Sequence, residues 1–395
     1  MNAMKRSLII FALISITTLN CFAQKENTFA VKQNLELNRE RLPLVEDGPI
    51  KNVIFIIGDG TGLVQLTSGQ YHLVGENELL HVQTMPVTGI MQTHAASNLI
   101  TDSAAGATAF SCGIKTDNGK IAQLPDERNC KTILELAEQK GLSTGLVSTS
   151  GVTHATPASY AAHVPSRRME AMIAAQYLSS GTDVILGGGL EYFIPSNEKG
   201  SSREDNRNLV SEFGGLGYTF VENVEELNAT DSEKILGLFS ESGMPSENRT
   251  PTLAEMTSKA IDVLSKNDEG FFLMIEGSQI DWGGHGNDTP YVLREVADFD
   301  AAIAEALDFA QEDGETLVIV TADHETGGMT LNGYNRDNHE VEIAWTTGSH
   351  TGVPVPIMAY GPHAIQFTGW LDNTEVGIKT AALLGVGDLP IIIQE

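Results

Sequence analysis

Five apolar runs constrain this chain more than any other feature. They are VIFIIG (Val53–Gly58), GLVSTS (Gly145–Ser150), DVILGGG (Asp183–Gly189), FFLMIEG (Phe271–Gly277) and ETLVIVTAD (Glu315–Asp323). A strand that is apolar without alternation is buried on both faces, which is the condition of a parallel sheet covered by helices. Helical patterns lie between the runs, as in Lys131–Gly141 and the Ala-rich stretch Tyr291–Ala310. Alternation of this kind predicts an α/β fold, doubly wound, with a mostly parallel central sheet and helices on both faces.

The segments outside this alternation divide the chain. Lys5 and Arg6 precede an apolar stretch, Leu8–Leu19, and then Cys21-Phe22-Ala23. This is the pattern of a signal peptide over residues 1–23, cut after Ala23. At about 12 residues the stretch is too short to span a bilayer, which takes about 20. Residues 24–50 read as a polar N-terminal arm and 51–395 as a single domain. Within that domain, residues near 191–250 read as a polar insertion, and 332–349 as a loop-rich excursion. Cys112 and Cys130 could pair in an oxidising compartment or sit as two buried thiols, and the sequence leaves both readings open.

Charge narrows the partners. With 24 Lys+Arg against 52 Asp+Glu, the formal net charge is −28. An acidic surface repels nucleic acid and anionic membrane, so a nucleic-acid-binding surface is not expected.

The chemistry collects where the runs end. In open α/β sheets, ligands bind beyond the carboxyl ends of the strands. VIFIIG ends at Asp59, GLVSTS leads to His154 and Thr156, and FFLMI ends at Glu276, followed by Asp281 and His285. TLVIVT ends at Asp323 and His324, and a separate SHT segment carries His350. Each residue alone reads as a cap or turn residue. Asp281 and His285, four apart, fit a shared helix face or a Gly-rich turn. Together, so many carboxylates and imidazoles at one sheet edge are costly without cations. Imidazole with carboxylate suits zinc, whereas the all-oxygen set Asp59, Thr156 and Glu276 suits magnesium. His72, His81, His94, His163, His339 and His363 lack such company and read as structural or surface residues. No CxxC or HExxH pattern is present. Ser103 opens a run of small residues in ITDSAAGATAFSCG. An N-cap is the plain reading; a nucleophile at an anion-binding helix N-terminus is the functional one.

These blocks resemble the alkaline phosphatase family. ITDSAAGAT around Ser103 is similar to its nucleophile signature. GDG at Asp59, HATPA from His154, AAHVPSR ending at Arg167, EGSQIDWGGH, TADHETGG and SHT follow in the family's order, over about residues 51–385. The resemblance implies an alkaline-phosphatase-like catalytic domain that hydrolyses phosphate monoesters with broad leaving-group tolerance. Ser103 would form a phosphoseryl intermediate, and Arg167 would clamp two phosphate oxygens. Two Zn2+ and one Mg2+ are implied: one zinc on Asp281, His285 and His350, a second on Asp59, Asp323 and His324, and magnesium on Asp59, Thr156 and Glu276. Asp102 would position Arg167 or the serine turn. His154 with Trp282 is similar to the marine, cold-active branch and implies altered phosphate and magnesium affinity. The partners implied are small phosphomonoesters and inorganic phosphate, in a periplasmic or extracellular setting. Homodimerisation is common in that family; no residue of this sequence decides it.

Other activities fit less well. A sulfatase needs C/S-x-P-x-R at its nucleophile, and Ser103 is followed by AAGAT. A serine esterase would place Ser103 in G-x-S-x-G. A phosphodiesterase shares the metal edge, but Arg167 favours a dianionic monoester. A zinc- or phosphate-binding protein would not need Ser103.

Overall fold

The structure is a computed structural model that describes residues 27–394; the leader pattern of residues 1–23 lies outside them. Among the described residues, ten strands form one sheet. Across it they run Gly369–Asp372, Val87–Gln92, Val355–Tyr360, Thr316–Thr321, Asn52–Gly58, Phe271–Gly277, Ser143–Gly151, Val184–Gly188, Ile235–Leu238 and Thr219–Val221. Only Val355–Tyr360 runs antiparallel to its neighbours, so the sheet is mostly parallel.

The central strand shows why the apolar runs do not alternate. Val53, Phe55 and Ile57 pack into one core, under the helices Ser103–Cys112, Ile133–Lys140 and Asn373–Leu384. Ile54 and Ile56 pack into the other, under Leu63–Leu73, Leu253–Leu264 and Thr289–Asp313. Each such side chain contributes about 1.5–3 kcal/mol by leaving water, so both faces must be apolar. The long helix Thr289–Asp313 is punctuated at both ends. Asp288 caps it by accepting from Tyr291 N, and Gly314, at φ 75°, stops it in the left-handed conformation.

Three segments differ from their sequence reading. Residues near 191–250 are not only a polar excursion, because Thr219–Val221 and Ile235–Leu238 extend the main sheet to its edge. Strands of three and four residues are too short for a pattern to register. The stretch 332–349 contains most of an antiparallel hairpin, Met329–Asn335 with Glu340–Trp345, whose outer face is polar. The N-terminal arm supplies Asn27–Ala30, which pairs with that hairpin. Cys112 and Cys130 are buried free thiols. Among the described residues, no helix is long and apolar enough to cross a membrane.

Candidate active site

The site forms where the strands Asn52–Gly58, Phe271–Gly277 and Thr316–Thr321 end side by side. Ile57 is level with Glu276 on one neighbour and with Thr321 on the other. Asp59, Glu276, Asp323 and His324 therefore emerge from adjacent strands, and all four are wholly buried. The chain approaches itself closely here because of two glycines. A Cβ on Gly60 would lie 2.6 Å from Asp281 Cα, and one on Gly106 would lie 3.0 Å from Asp323 Cβ.

Six residues converge as two trios, each with ligand atoms within 4.8 Å of one another: Asp281, His285 and His350; and Asp59, Asp323 and His324. Asp281 and His285 share the short helix Gln279–Gly286, which decides between the two sequence readings of that pair. The trios touch, because the His324 and His350 rings stack with centroids 3.6 Å apart.

Tautomers follow from the neighbours. His285 Nδ1 lies 2.9 Å from Gly348 O and His350 Nδ1 lies 2.8 Å from Thr101 O. A carbonyl oxygen only accepts, so both Nδ1 atoms carry the proton. The two Nε2 lone pairs then face each other at 3.1 Å, with the Asp281 carboxylate 3.4 and 3.5 Å away. Two lone pairs and a carboxylate in contact repel unless a cation lies among them. In the second trio, neither oxygen of Asp59 has a hydrogen-bond partner, nor does Asp323 Oδ2. Glu276 Oε1 is likewise orphaned, although Ser278 and Ser150 hydroxyls donate to Oε2 at 2.7 and 3.3 Å. Buried carboxylate oxygens without donors are rare, so this donor set fits bound divalent cations.

Protonation reflects the same strain. Burial raises Asp59 well above the usual carboxylate range, and the charges of Asp323, Asp281 and Glu276 add to it. Burial lifts Glu276 to about 7. His324 falls to about 3 through burial and then the neighbouring His350, so its ring stays neutral.

Ser103 opens the helix Ser103–Cys112, and its Oγ lies 3.5 Å from His324 Nε2. Asp102 caps that helix, Oδ1 accepting from Ala105 N and Gly119 N, both at 3.0 Å. Asp102 Oδ2 holds Arg167 Nη1 at 3.2 Å, and Arg167 Nη2 contacts His154 Nε2 at 3.3 Å. Burial, and then Arg167, drive His154 down to about 3, so its Nε2 accepts. The His154 ring meets Trp282 edge-on at 6.1 Å. Arg168 is exposed, in keeping with Arg167 as the inward member of the pair. Thr156 is wholly buried in the first turn of the helix Ala155–Ala161. Sequence reasoning missed Ser150, Ser278 and Thr326. The last lies inside the TADHETGG block, whose periodicity gives no hint of where its hydroxyl points.

A family model described as alkaline phosphatase matches residues 50–342. Alkaline phosphatase 3 of Bacillus subtilis is 37% identical over 413 residues, covering 83% of this chain and 87% of the relative. The solved alkaline phosphatase of the Antarctic bacterium TAB5 superposes with a TM-score of 0.80 at 38% identity, covering 86% of this chain and 100% of that one. A solved histidine-to-aspartate mutant of that enzyme, with Mg bound in its M3 site, superposes at 0.77 with 36% identity, covering 86% and 99%.

Proposed function

Because the chain belongs to the alkaline phosphatase family of metal-dependent phosphomonoesterases, we propose that it hydrolyses monoesters through a phosphoseryl intermediate on Ser103. The observation that carries this reading is the position of Ser103 Oγ at a helix N-terminus, 3.5 Å from His324 and beside the two trios. Asp281, His285 and His350 would hold one Zn2+, and Asp59, Asp323 and His324 the other. Asp59, Thr156 and Glu276 would hold Mg2+. Bound, these ions supply the positive charge that favours an ionised serine and a departing alkoxide.

The chain's own groups do the rest. Ser103 Oγ attacks phosphorus in line, the ester P–O bond breaks, and the alcohol leaves. Water then splits the phosphoserine and returns the hydroxyl. Arg167 presents two parallel N–H groups to two phosphate oxygens, which a lysine could not do. Asp102 and His154 fix the guanidinium before substrate arrives, which reduces the ordering cost of binding. The N-terminus of the helix Ser103–Cys112, beside Ser103, favours the same anion. These contacts fall on the phosphate, so the leaving group is loosely specified.

His154 and Trp282 put no carboxylate or ammonium beside the phosphate and magnesium positions, which favours weaker retention of both and faster product release. On this reading the catalytic domain spans 51–395, periplasmic or extracellular once residues 1–23 are removed.

The test uses 4-nitrophenyl phosphate from pH 6 to 11, before and after chelation. Activity at alkaline pH should vanish with the chelator and return only with zinc and magnesium together. Ser103→Ala should lower turnover on the order of 10^4-fold or more and abolish acid-stable labelling by [32P]phosphate. Full turnover in that variant overturns the mechanism.

A further inference from the structure

The two trios share one hydroxyl. Thr326 is wholly buried, and its Oγ donates to Asp281 Oδ1 while lying 3.2 Å from His324 Nδ1. A hydroxyl has one proton, and a carboxylate can only accept it. His324 Nδ1 must therefore carry its own proton and donate it to Thr326 Oγ, which leaves His324 Nε2 free to face Asp59 and Asp323 at 3.5 and 3.2 Å. The hydrogen bonds run in one direction, His324 to Thr326 to Asp281, from one trio into the other.

The backbone of Thr326 extends the same link. Its N–H donates to Gly60 O at 3.1 Å, next to Asp59. It pairs antiparallel with His350. A Cβ on Gly284, next to His285, would lie 2.9 Å from Thr326 O, and one on Gly60 would lie 2.9 Å from Thr326 Oγ. Both neighbours are glycines where any side chain would push Thr326 away. One residue thus touches the segments carrying Asp59, Asp281, His285, His324 and His350.

We infer that Thr326 is a positioning residue that couples the two cation sites, so that filling either trio orients a ligand of the other and zinc is taken up cooperatively. This rests on the reading of the trios as zinc sites. Settling Asp281 Oδ1 on a cation polarises the Thr326 hydroxyl, fixes the His324 tautomer and aims Nε2. Groups that orient a metal-bound imidazole typically change metal affinity by about 10- to 100-fold.

The experiment compares the full chain with Thr326→Val, which replaces the hydroxyl by a methyl of equal size, and Thr326→Ser, which keeps the hydroxyl. Zinc is added back to chelated protein against a competing chromogenic chelator, and bound zinc is counted directly. The wild type should take up two zinc ions in one steep step. Thr326→Val should show two separate steps with affinity about 10-fold lower at the weaker one, and Thr326→Ser should regain the single step. An unchanged steep step in Thr326→Val, or equal loss in Thr326→Ser, overturns the coupling. A wild type that binds no zinc overturns the reading of the trios beneath it. A Thr326→Val chain that does not fold, seen by circular dichroism, leaves Thr326→Ser against the wild type to decide, where a loss of the steep step refutes the hydroxyl's role.

Discussion

Asp102 serves two tasks through its two oxygens, and two substitutions should separate them. Oδ1 accepts from Ala105 N and Gly119 N, and Oδ2 holds Arg167. Asp102→Ala removes a helix cap, at about 1 kcal/mol. It also strands the half-buried Gly119 N–H, at about 1–3 kcal/mol. The expected loss of stability is about 3 kcal/mol. A chain of this size has an unfolding entropy near 0.8 kcal/mol/K, so Tm should fall by about 4 °C. Asp102→Asn keeps an oxygen for both backbone donors but turns an amide N–H toward Arg167, donor against donor. Its Tm should stay within about 1 °C of the wild type by the same scale. Both variants release the guanidinium. A hydrogen bond between charged groups contributes about 1.5–3 kcal/mol; partial exposure of both side chains, 18% and 24%, reduces this to about 1 kcal/mol. That is about fivefold in affinity. The assays are thermal unfolding and competitive inhibition by inorganic phosphate. The inhibition constant should rise about fivefold in both variants, while Tm falls only in Asp102→Ala. Equal Tm values, or an unchanged inhibition constant, refute the division of labour.

Two further outcomes follow from the carboxylates and His154. The Glu276 carboxyl is raised to about 7 in the fold, so in metal-free protein its stabilising protonated form is held at low pH and lost as pH rises through about 7. Glu276→Gln escapes that loss, and at pH 8 the metal-free variant should be more stable than the metal-free wild type by about 2–3 kcal/mol, read by denaturant unfolding; equal stability counts against the burial argument. His154→Asp replaces a neutral ring beside the helix that carries Thr156 with a carboxylate, and should tighten magnesium about tenfold, measured by calorimetric titration of zinc-loaded protein; unchanged affinity would sink the idea.

What the sequence made legible has a physical pattern. Central strands and the carboxylates at their ends stood out because burial on both faces forces uninterrupted apolar runs, and a carboxylate following such a run interrupts it. The edge strands Thr219–Val221 and Ile235–Leu238 did not, since three or four residues at a sheet margin carry no period. Neither did the hairpin Met329–Asn335 with Glu340–Trp345, half of which faces water. The residue types that gather at the site were readable; tautomers were not, because those of His285 and His350 are set by the carbonyls of Gly348 and Thr101, from distant segments. Thr326 stayed hidden for the same reason, its role arising from a partner 45 positions away.

The spread of the trios along the chain bears on how the site is made. Gly60 and the Asp323 carboxylate to which it donates are 263 positions apart, and His350 comes later still. Closing so long a loop is entropically expensive and slow. The trio Asp59, Asp323 and His324 is therefore unlike a compact zinc module, whose ligands lie within one short segment. The six residues come together only in a chain that includes His350, and buried carboxylate oxygens are crowded there without hydrogen-bond partners. A cation bound there would relieve a repulsion that the fold itself assembles.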